Sequence, residues 1–480
     1  MRWQAVIGLE VHAQLATASK LFCGCAVTAG ESPNTRVCPV CLGLPGALPV
    51  LNGGAVDLAV LAALALGCDV QPVSVFARKN YFYPDLPKGY QITQHDRPLA
   101  LGGALEWSGA GTRVRVGIER LHLEEDAGKS LHAGFGDEAG RTGLDFNRSG
   151  VPLVEIVTRP DLRSPADAAA CFERLREALV EVGVTTGNME EGHLRCDANV
   201  SLRPPGDASF GIPVEVKNLN SFRYLRHALE HEVARQAAVL GGHGRVERET
   251  RLWDVEAGET VPMRSKEEAH DYRFFPEPDL PPLVLAAERV AALRARLAEL
   301  PEARRQRLAA SFGLPEALAR QIGNDRAASA YFEAAVRGGA PPREAAHWIT
   351  GEVARLLNER SEGFASVPVQ PEALARLLAE VEAATISGSV AKEVFARMWE
   401  TGDSAAAIIA RERLGRIDDE SRLEGIVREV VRANPKAVSQ YRAGKRLAFG
   451  FFVGQVMKAT GGQADPAVVT RLLARELDRS

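Results

Sequence analysis

The chain has 480 residues, 46% hydrophobic and 25% charged, enough for two to four domains with ordinary buried cores. A net charge of -4 excludes a general polyanion binder, because nonspecific nucleic-acid affinity comes from many cation–phosphate contacts, so any RNA contact must be local. The start meets Glu10 before a signal-like apolar region develops, and the longest apolar run, Leu58 to Leu66, is far below membrane-spanning length, which predicts a cytoplasmic chain.

The first predicted element is a half-buried strand: Ile7, Leu9, Val11, Ala13 and Leu15 are apolar, while Glu10, His12 and Gln14 share the other face. Residues two apart on a strand lie roughly 7 Å apart at Cα, close enough for carboxylate and imidazole to converge on one ion or phosphate. A solvated strand face is the alternative.

Next, Cys23-Gly-Cys25, twelve intervening residues and Cys38-Pro-Val-Cys41 match a four-thiolate zinc knuckle in ligand count and pairing. Four thiolates leave no open coordination position, so the expected role is structural. Free buried thiols and an iron-sulfur cluster are the other readings. Cys68, Cys171 and Cys196 read as small buried hydrophobes, and an odd total of seven cysteines opposes a disulfide framework.

The stretch from Arg78 to Gln91 puts Lys79 and Lys88 on an aromatic, proline-stiffened loop, either as cations beside acids or within a turn-rich hydrophobic plug. His122-Leu-Glu-Glu-Asp-Ala-Gly-Lys129 follows the alternating run Val114, Val116, Ile118, and three adjacent acids are costly unless a cation or lysines neutralise them. Ala127-Gly-Lys-Ser130 resembles the end of a phosphate-binding P-loop, but that motif needs glycine where Leu123 stands. No dinucleotide-binding glycine motif occurs between strand and helix, so a nucleotide would need a fold-specific site.

From His193 to Arg203 the first strand's pattern recurs, with Leu194, Cys196, Ala198, Val200 and Leu202 on one face and Asp197, Asn199 and Ser201 on the other. Magnesium prefers a few carboxylates plus water and substrate phosphates, so Glu10, Glu125 and Asp197 with His12 form the predicted set, the imidazole being an unusual member. Glu124 and Asp126 read as supporting or solvated groups.

Up to about Pro282, strand-like runs alternate with turn signals; from Leu283 to about Glu400, Ala, Leu, Arg and Glu recur at helical spacing. One such helix runs from Ala291 to Leu300 and is expected to end at Pro301. After a Gly402-Asp-Ser break, the stretch from Val430 to Ala464 has no acid but carries Arg432, Lys436, Arg442, Lys445, Arg446 and Lys458. That face either meets RNA phosphates or is a solvated helical surface.

Together these stretches resemble, essentially end to end, the B subunits of the heterotrimeric glutamyl/aspartyl-tRNA amidotransferases. The motifs include Gly8-Leu-Glu-Val-His12, Cys38-Pro-Val-Cys-Leu-Gly-Leu-Pro-Gly46, Arg78-Lys-Asn-Tyr-Phe-Tyr-Pro-Asp85, Leu123-Glu-Glu-Asp-Ala-Gly-Lys129, Asp145-Phe-Asn-Arg-Ser-Gly-Val-Pro-Leu-Val-Glu-Ile156, Arg195-Cys-Asp-Ala-Asn-Val-Ser201, Lys217-Asn-Leu-Asn-Ser221, Tyr272-Arg-Phe-Phe-Pro-Glu-Pro-Asp-Leu280 and Gly454-Gln-Val-Met-Lys458. Phe274-Phe275 stands where an Arg-Tyr-Phe pattern is more usual, a departure that touches no assigned role.

The resemblance implies an α+β fold. An N-terminal cradle of mainly antiparallel sheet with flanking helices would span residues 1–290, with the knuckle at 23–41. All-α domains would follow, a helical domain at 291–405 and a tRNA-binding, YqeY-like tail at 406–480.

It also implies the chemistry. The subunit would hold Glu-tRNA(Gln) or Asp-tRNA(Asn), phosphorylate the side-chain carboxylate with ATP and magnesium, and amidate it with ammonia channelled from a glutaminase partner. Carried over as catalytic are Glu10, His12, Glu125, Asp197, Lys79 and Lys88, with Glu124 and Asn199 as cofactor-binding groups. Magnesium would be held by Glu10, His12, Glu125 and Asp197, and structural zinc by Cys23, Cys25, Cys38 and Cys41. Some relatives lack the cysteine quartet, which fits a stabilising role.

The implied partners are an amidase-type A subunit, a small C subunit, the tRNAs and the cognate nondiscriminating aminoacyl-tRNA synthetase, with no membrane. The chain carries no glutaminase stretch of its own. Two other readings are the archaeal E-type subunit, whose inserted domain does not interrupt residues 280–400, and a noncatalytic zinc-containing tRNA-binding scaffold.

Overall fold

The computed structural model describes residues 3–109, 112–131, 141–263, 272–417, 419–445 and 447–479. They fall into two compact units, Met1–Leu300 and Pro301–Ser480.

The first unit is organised by one large sheet. Its strands are β1 (Gln4–Gln14), β2 (Asp69–Val70), β3 (Ala100–Leu101), β4 (Ala104–Gly109), β5 (Thr112–Glu125), β6 (Pro152–Thr158), β7 (Leu194–Arg203), β8 (Val214–Lys217), β9 (Thr250–Asp254) and β10 (Glu259–Pro262). The spatial order is β10-β9-β8-β7-β1-β6-β5-β3-β2, with β4 paired to β5. Among the described residues only β8–β9 is parallel in this sheet, and every other pairing is antiparallel. The long strands β1, β5, β6 and β7 are therefore neighbours at its centre.

Three helices, α1 (Gly53–Ala65), α2 (Pro165–Glu181) and α3 (Phe222–Gly241), contribute buried residues to the core that the sheet's apolar face joins. Each starts where a capping side chain supplies an acceptor to an otherwise orphaned N–H. Asn52 accepts from Gly54 N and Ala55 N, Ser164 from Asp167 N and Ser221 from Tyr224 N; each such cap contributes about 1 kcal/mol. The apolar run Leu58 to Leu66 belongs to α1 and its C-terminal cap, buried on nearly every side.

The predicted alternation of the central strands is found. Ile7, Leu9, Val11, Ala13 and Leu15 are at most 1% exposed, and Leu194, Cys196, Ala198, Val200 and Leu202 are buried in the same core. Truncating one of the leucines to alanine would cost about 2–5 kcal/mol. One central strand departs from strict alternation. In β5, Val157 of β6 opposes Arg120 but Thr158 opposes Ile118, so the register slips by one residue. Ile118 and then Leu121 and Leu123 consequently all face the core.

The second unit is all helical. From Pro301–Phe312 to Ala405–Glu412 its helices bury one cluster that includes Leu308, Phe332, Leu374, Phe395 and Ile408. A separate cluster starts at Ile417 and gathers Leu423, Val427, Phe452 and Leu473. Pro301 does not end a helix, as the spacing suggested. The preceding helix stops at Ala295 and Pro301 opens the next one, where its missing N–H would have been unsatisfied anyway. Sheet unit followed by helical unit is the expected α+β arrangement, and no described helix is long and apolar enough to cross a membrane.

Candidate active site

Side-chain alternation carries a row of charged groups across the sheet's polar face. His12 on β1 stands opposite Arg195 on β7 and opposite Glu155 on β6, and Glu155 stands opposite His122 on β5. Glu10 stands opposite Asp197.

These groups converge. His12 Nε2 lies 3.5 Å from Glu124 Oε1 and 3.3 Å from Glu155 Oε2, and one donor atom from each of the three residues falls within 4.8 Å of the others. Asn199 Nδ2 donates to Glu10 Oε1 at 3.2 Å. Lys217 Nζ bridges Asp197 and Glu215 at 2.6 and 2.7 Å, and Arg195 donates to Asp126 at 3.0 Å.

All of these groups except His122 and Asn199 line a cleft of about 680 Å³ that also receives Lys79, Tyr81, Arg148 and Tyr272. A smaller cavity of about 240 Å³ shares Glu10, Lys79, Glu124, Glu155 and Tyr272 with it and adds Arg120, His122 and Phe274. Phe274 stacks on His95 with ring centroids 3.9 Å apart.

The charges on this face do not balance among themselves. The cleft's lining holds six carboxylates and four lysine or arginine cations, an excess of two negative charges before His12 is counted. Burial raises the Glu10 carboxyl, and the charges of Glu155 and Glu215 raise it further. Burial alone would lower the His12 pKa, yet the hydrogen bond to Glu155 and the charges of Glu124 and Glu155 outweigh it and push His12 up to about 9. Burial would raise Glu155, but His122 and His12 hold it well below the usual carboxylate range. With His12 protonated the lining keeps an excess of one negative charge; once His12 gives up that proton, an imidazole and two carboxylates make a donor set for a divalent cation, the carboxylates being of the kind magnesium prefers and the imidazole its unusual member.

Glu125 lies elsewhere. On β5 it faces opposite to Glu124, is 2% exposed, and its Oε1 accepts from Ile92 N at 3.0 Å and from the Lys88 ammonium. The pair lines a cavity of about 230 Å³ with Phe22, Tyr90 and the segment from Gly43 to Pro49. Gly43 has φ +67°, and a side chain there would collide with the stem of Lys88.

The four cysteines meet beside that cavity. All four Sγ atoms lie within 4.8 Å of one another, and Cys38 and Cys41 are 3.9 Å apart. Tetrahedral zinc with 2.3 Å bonds demands about 3.8 Å between sulfurs. Cys38 N also donates to Cys41 Sγ at 3.2 Å. The quartet fits a metal ion.

Of the residues singled out from sequence, the structure brings Glu10, His12, Lys79, Glu124 and Asp197 into one cleft, with Asn199 bonded to Glu10 beside them. It brings Lys88 and Glu125 together in another cavity, and it gathers the four cysteines. The sequence reading missed Glu155, His122, Arg195, Lys217 and Glu215. Glu155 had a signal, a lone acid inside the apolar strand Pro152–Thr158. Of the basic tail residues, Arg432, Lys436, Arg442, Lys445 and Lys458 are exposed, and Arg446 lies outside the described residues.

Comparison with known proteins defines the class. Residues 5–291 match the family described as the GatB/GatE catalytic domain, and residues 330–477 match the family described as the GatB domain. The chain belongs to the GatB family. Among its relatives, a Geobacter sulfurreducens protein named as the B subunit of aspartyl/glutamyl-tRNA(Asn/Gln) amidotransferase is 50% identical over 99% of this chain and 100% of that protein. Proteins of the same name from Moorella thermoacetica and Anaeromyxobacter sp. are 52% and 51% identical, each over 99% of this chain and 100% and 99% of their own lengths.

Proposed function

We propose that this chain is the B subunit of a tRNA-dependent amidotransferase, a glutamine-dependent carbon–nitrogen ligase. It holds Glu-tRNA(Gln) or Asp-tRNA(Asn), phosphorylates the side-chain carboxylate with ATP and replaces the phosphate with ammonia. The observation that supports this best is the convergence of His12, Glu124 and Glu155 in a cleft whose carboxylates outnumber its lysines and arginines by two.

Magnesium bound there would neutralise charge on the transferring phosphoryl group. His12, Glu124 and Glu155 would hold it, with Glu10, Asp197 and Asn199 as further polar groups beside them. Lys79, Arg148 and Arg195 line the same cleft and are the groups for nucleotide phosphates. The smaller cavity, aromatic through Tyr272 and Phe274 and cationic through Arg120, suits the rest of the nucleotide.

Chemically, a carboxylate resists attack by ammonia until phosphorylation supplies a leaving group. A substrate carboxylate oxygen attacks the γ-phosphorus and ADP departs, giving an acyl phosphate; ammonia then attacks its carbonyl carbon and phosphate departs. The proton shed by the nitrogen needs an acceptor. The departing phosphate takes it, while the Glu125–Lys88 pair in the separate cavity on the other face of the sheet marks the ammonia side.

The ammonia comes from an amidase-type A subunit, with a small C subunit completing a heterotrimer. The quartet holds structural zinc, and the helical tail from Ile417 onward supplies an exposed basic face for tRNA phosphates. The test is ATP hydrolysis and amide formation on both mischarged tRNAs by the chain co-expressed with A and C partners, with ammonium as nitrogen source. Activity lost in Glu10→Gln and Asp197→Asn supports this reading; activity unchanged in both leaves a noncatalytic tRNA-binding scaffold.

A further inference from the structure

Lys20 is completely buried. Lysine is almost never found in that state without a partner, and a buried ammonium lacking a counter-charge is strongly unfavourable. Among the described residues no carboxylate pairs with it. Its three N–H donors instead meet Arg36 O at 2.8 Å, Phe146 O at 3.4 Å and Cys41 Sγ at 3.5 Å. Two neutral carbonyls satisfy hydrogen bonds but not charge. Of its three hydrogen-bond partners only the Cys41 sulfur can carry negative charge.

A divalent ion in four thiolates leaves two net negative charges in a partly buried pocket. We infer that Lys20 is the built-in counter-ion of the four-cysteine metal centre, donating to the Cys41 sulfur so that metal and ammonium hold each other in the core. This rests on reading the quartet as a metal centre.

The surroundings fit a clamp. Arg36 lies within the knuckle, between Cys25 and Cys38, while Phe146 belongs to the segment that docks on it. Asn34 N donates to Asp145 Oδ1 at 3.0 Å, Arg36 N to Asn147 Oδ1 at 2.8 Å and Ser149 Oγ to Cys41 O at 3.1 Å. Lys20 thus ties the metal loop to the chain leading into β6, which carries Glu155. It is a positioning residue with no contact to substrate.

The experiment loads the full-length chain with one equivalent of cobalt(II) and compares it with Lys20→Met. Three changes are expected. The thiolate-to-cobalt absorption moves to longer wavelength, because a sulfur without a donated N–H and a nearby positive charge gives up electron density more easily. Release to a chelator accelerates at least tenfold. The rise in Tm on adding zinc shrinks, because the metal-free variant no longer buries an unpaired ammonium.

A wild-type band with a wild-type release rate in Lys20→Met overturns the proposal. A wild-type chain that binds neither cobalt nor zinc overturns instead the metal reading on which it stands. If Lys20→Met does not fold, Lys20→Arg carries the test by keeping the charge. A band and release rate close to wild type support the counter-ion role, and a shifted band with fast release rejects it.

Discussion

Glu124 and Glu125 are consecutive in the chain and serve opposite faces of the sheet: Glu124 Oε1 lies 3.5 Å from His12 Nε2, whereas Glu125 pairs with the Lys88 ammonium. One strand therefore carries one acid to the charged cleft and another to a separate cavity. The two should fail differently when mutated.

Glu124→Gln removes a donor from the proposed cation site without unpairing a buried lysine. In the reconstituted complex, tRNA-dependent ATP hydrolysis should fall by roughly two to three orders of magnitude, the effect of a few kcal/mol of lost charge stabilisation, while filter-binding affinity for tRNA is retained. Undiminished ATP hydrolysis would remove Glu124 from the site.

Glu125→Gln leaves the Lys88 charge buried without its partner, which costs about 3–5 kcal/mol. Chemical denaturation of the isolated chain should show that loss, and adding Lys88→Met should recover much of it. Additive losses in this double-mutant cycle would mean that the two side chains are not energetically coupled.

Glu155→Gln tests the member of the trio that sequence reading passed over. The magnesium concentration giving half-maximal ATP hydrolysis should rise at least tenfold, the usual scale for a lost metal donor or its support. An unchanged magnesium titration would place the cation elsewhere.

Acid sensitivity should reside partly in Glu232, fully buried on α3. Burial would raise its carboxyl, but hydrogen bonds from Arg235, Gln236 and Thr260 outweigh this and lower it. A folded pKa below the unfolded value of about 4.3 means stability that is present above that pH and lost as pH falls through the folded pKa. Wild type should therefore be more stable than Glu232→Gln at pH 7, with the Tm gap narrowing as pH is lowered from about 5 towards 3. A pH-independent gap would show that the carboxylate contributes no proton linkage.

For the tail, the cut belongs after Gly415, because the helix Ala405–Glu412 still buries Ile408 in the preceding cluster and the next cluster starts at Ile417. The truncated chain should keep a cooperative thermal transition and glutamine-independent assembly with its partners but bind tRNA at least tenfold more weakly. Equal tRNA affinity would relieve the basic helices of that role.

Much of this protein is legible in the sequence, for local reasons. Alternation with period two assigns Ile7 to Leu15 and Leu194 to Leu202 to the core and so exposes Glu10, His12 and Asp197 together. Ligand spacing alone brings Cys23, Cys25, Cys38 and Cys41 into view, since a metal knuckle is closed by short-range turns. What tertiary structure decided depends on strand order and register. The alternation of Val114, Val116 and Ile118, run forward, would put Glu125 on the polar face; the one-residue slip at Ile118–Arg120 reverses the parity and presents Glu124 instead. Glu155 joins His12 because β6 lies beside β1, a neighbour 143 positions away in sequence that no local pattern announces. Lys20 looks like any surface lysine until the fold closes over it, because burial is set by what packs around a residue and not by its type.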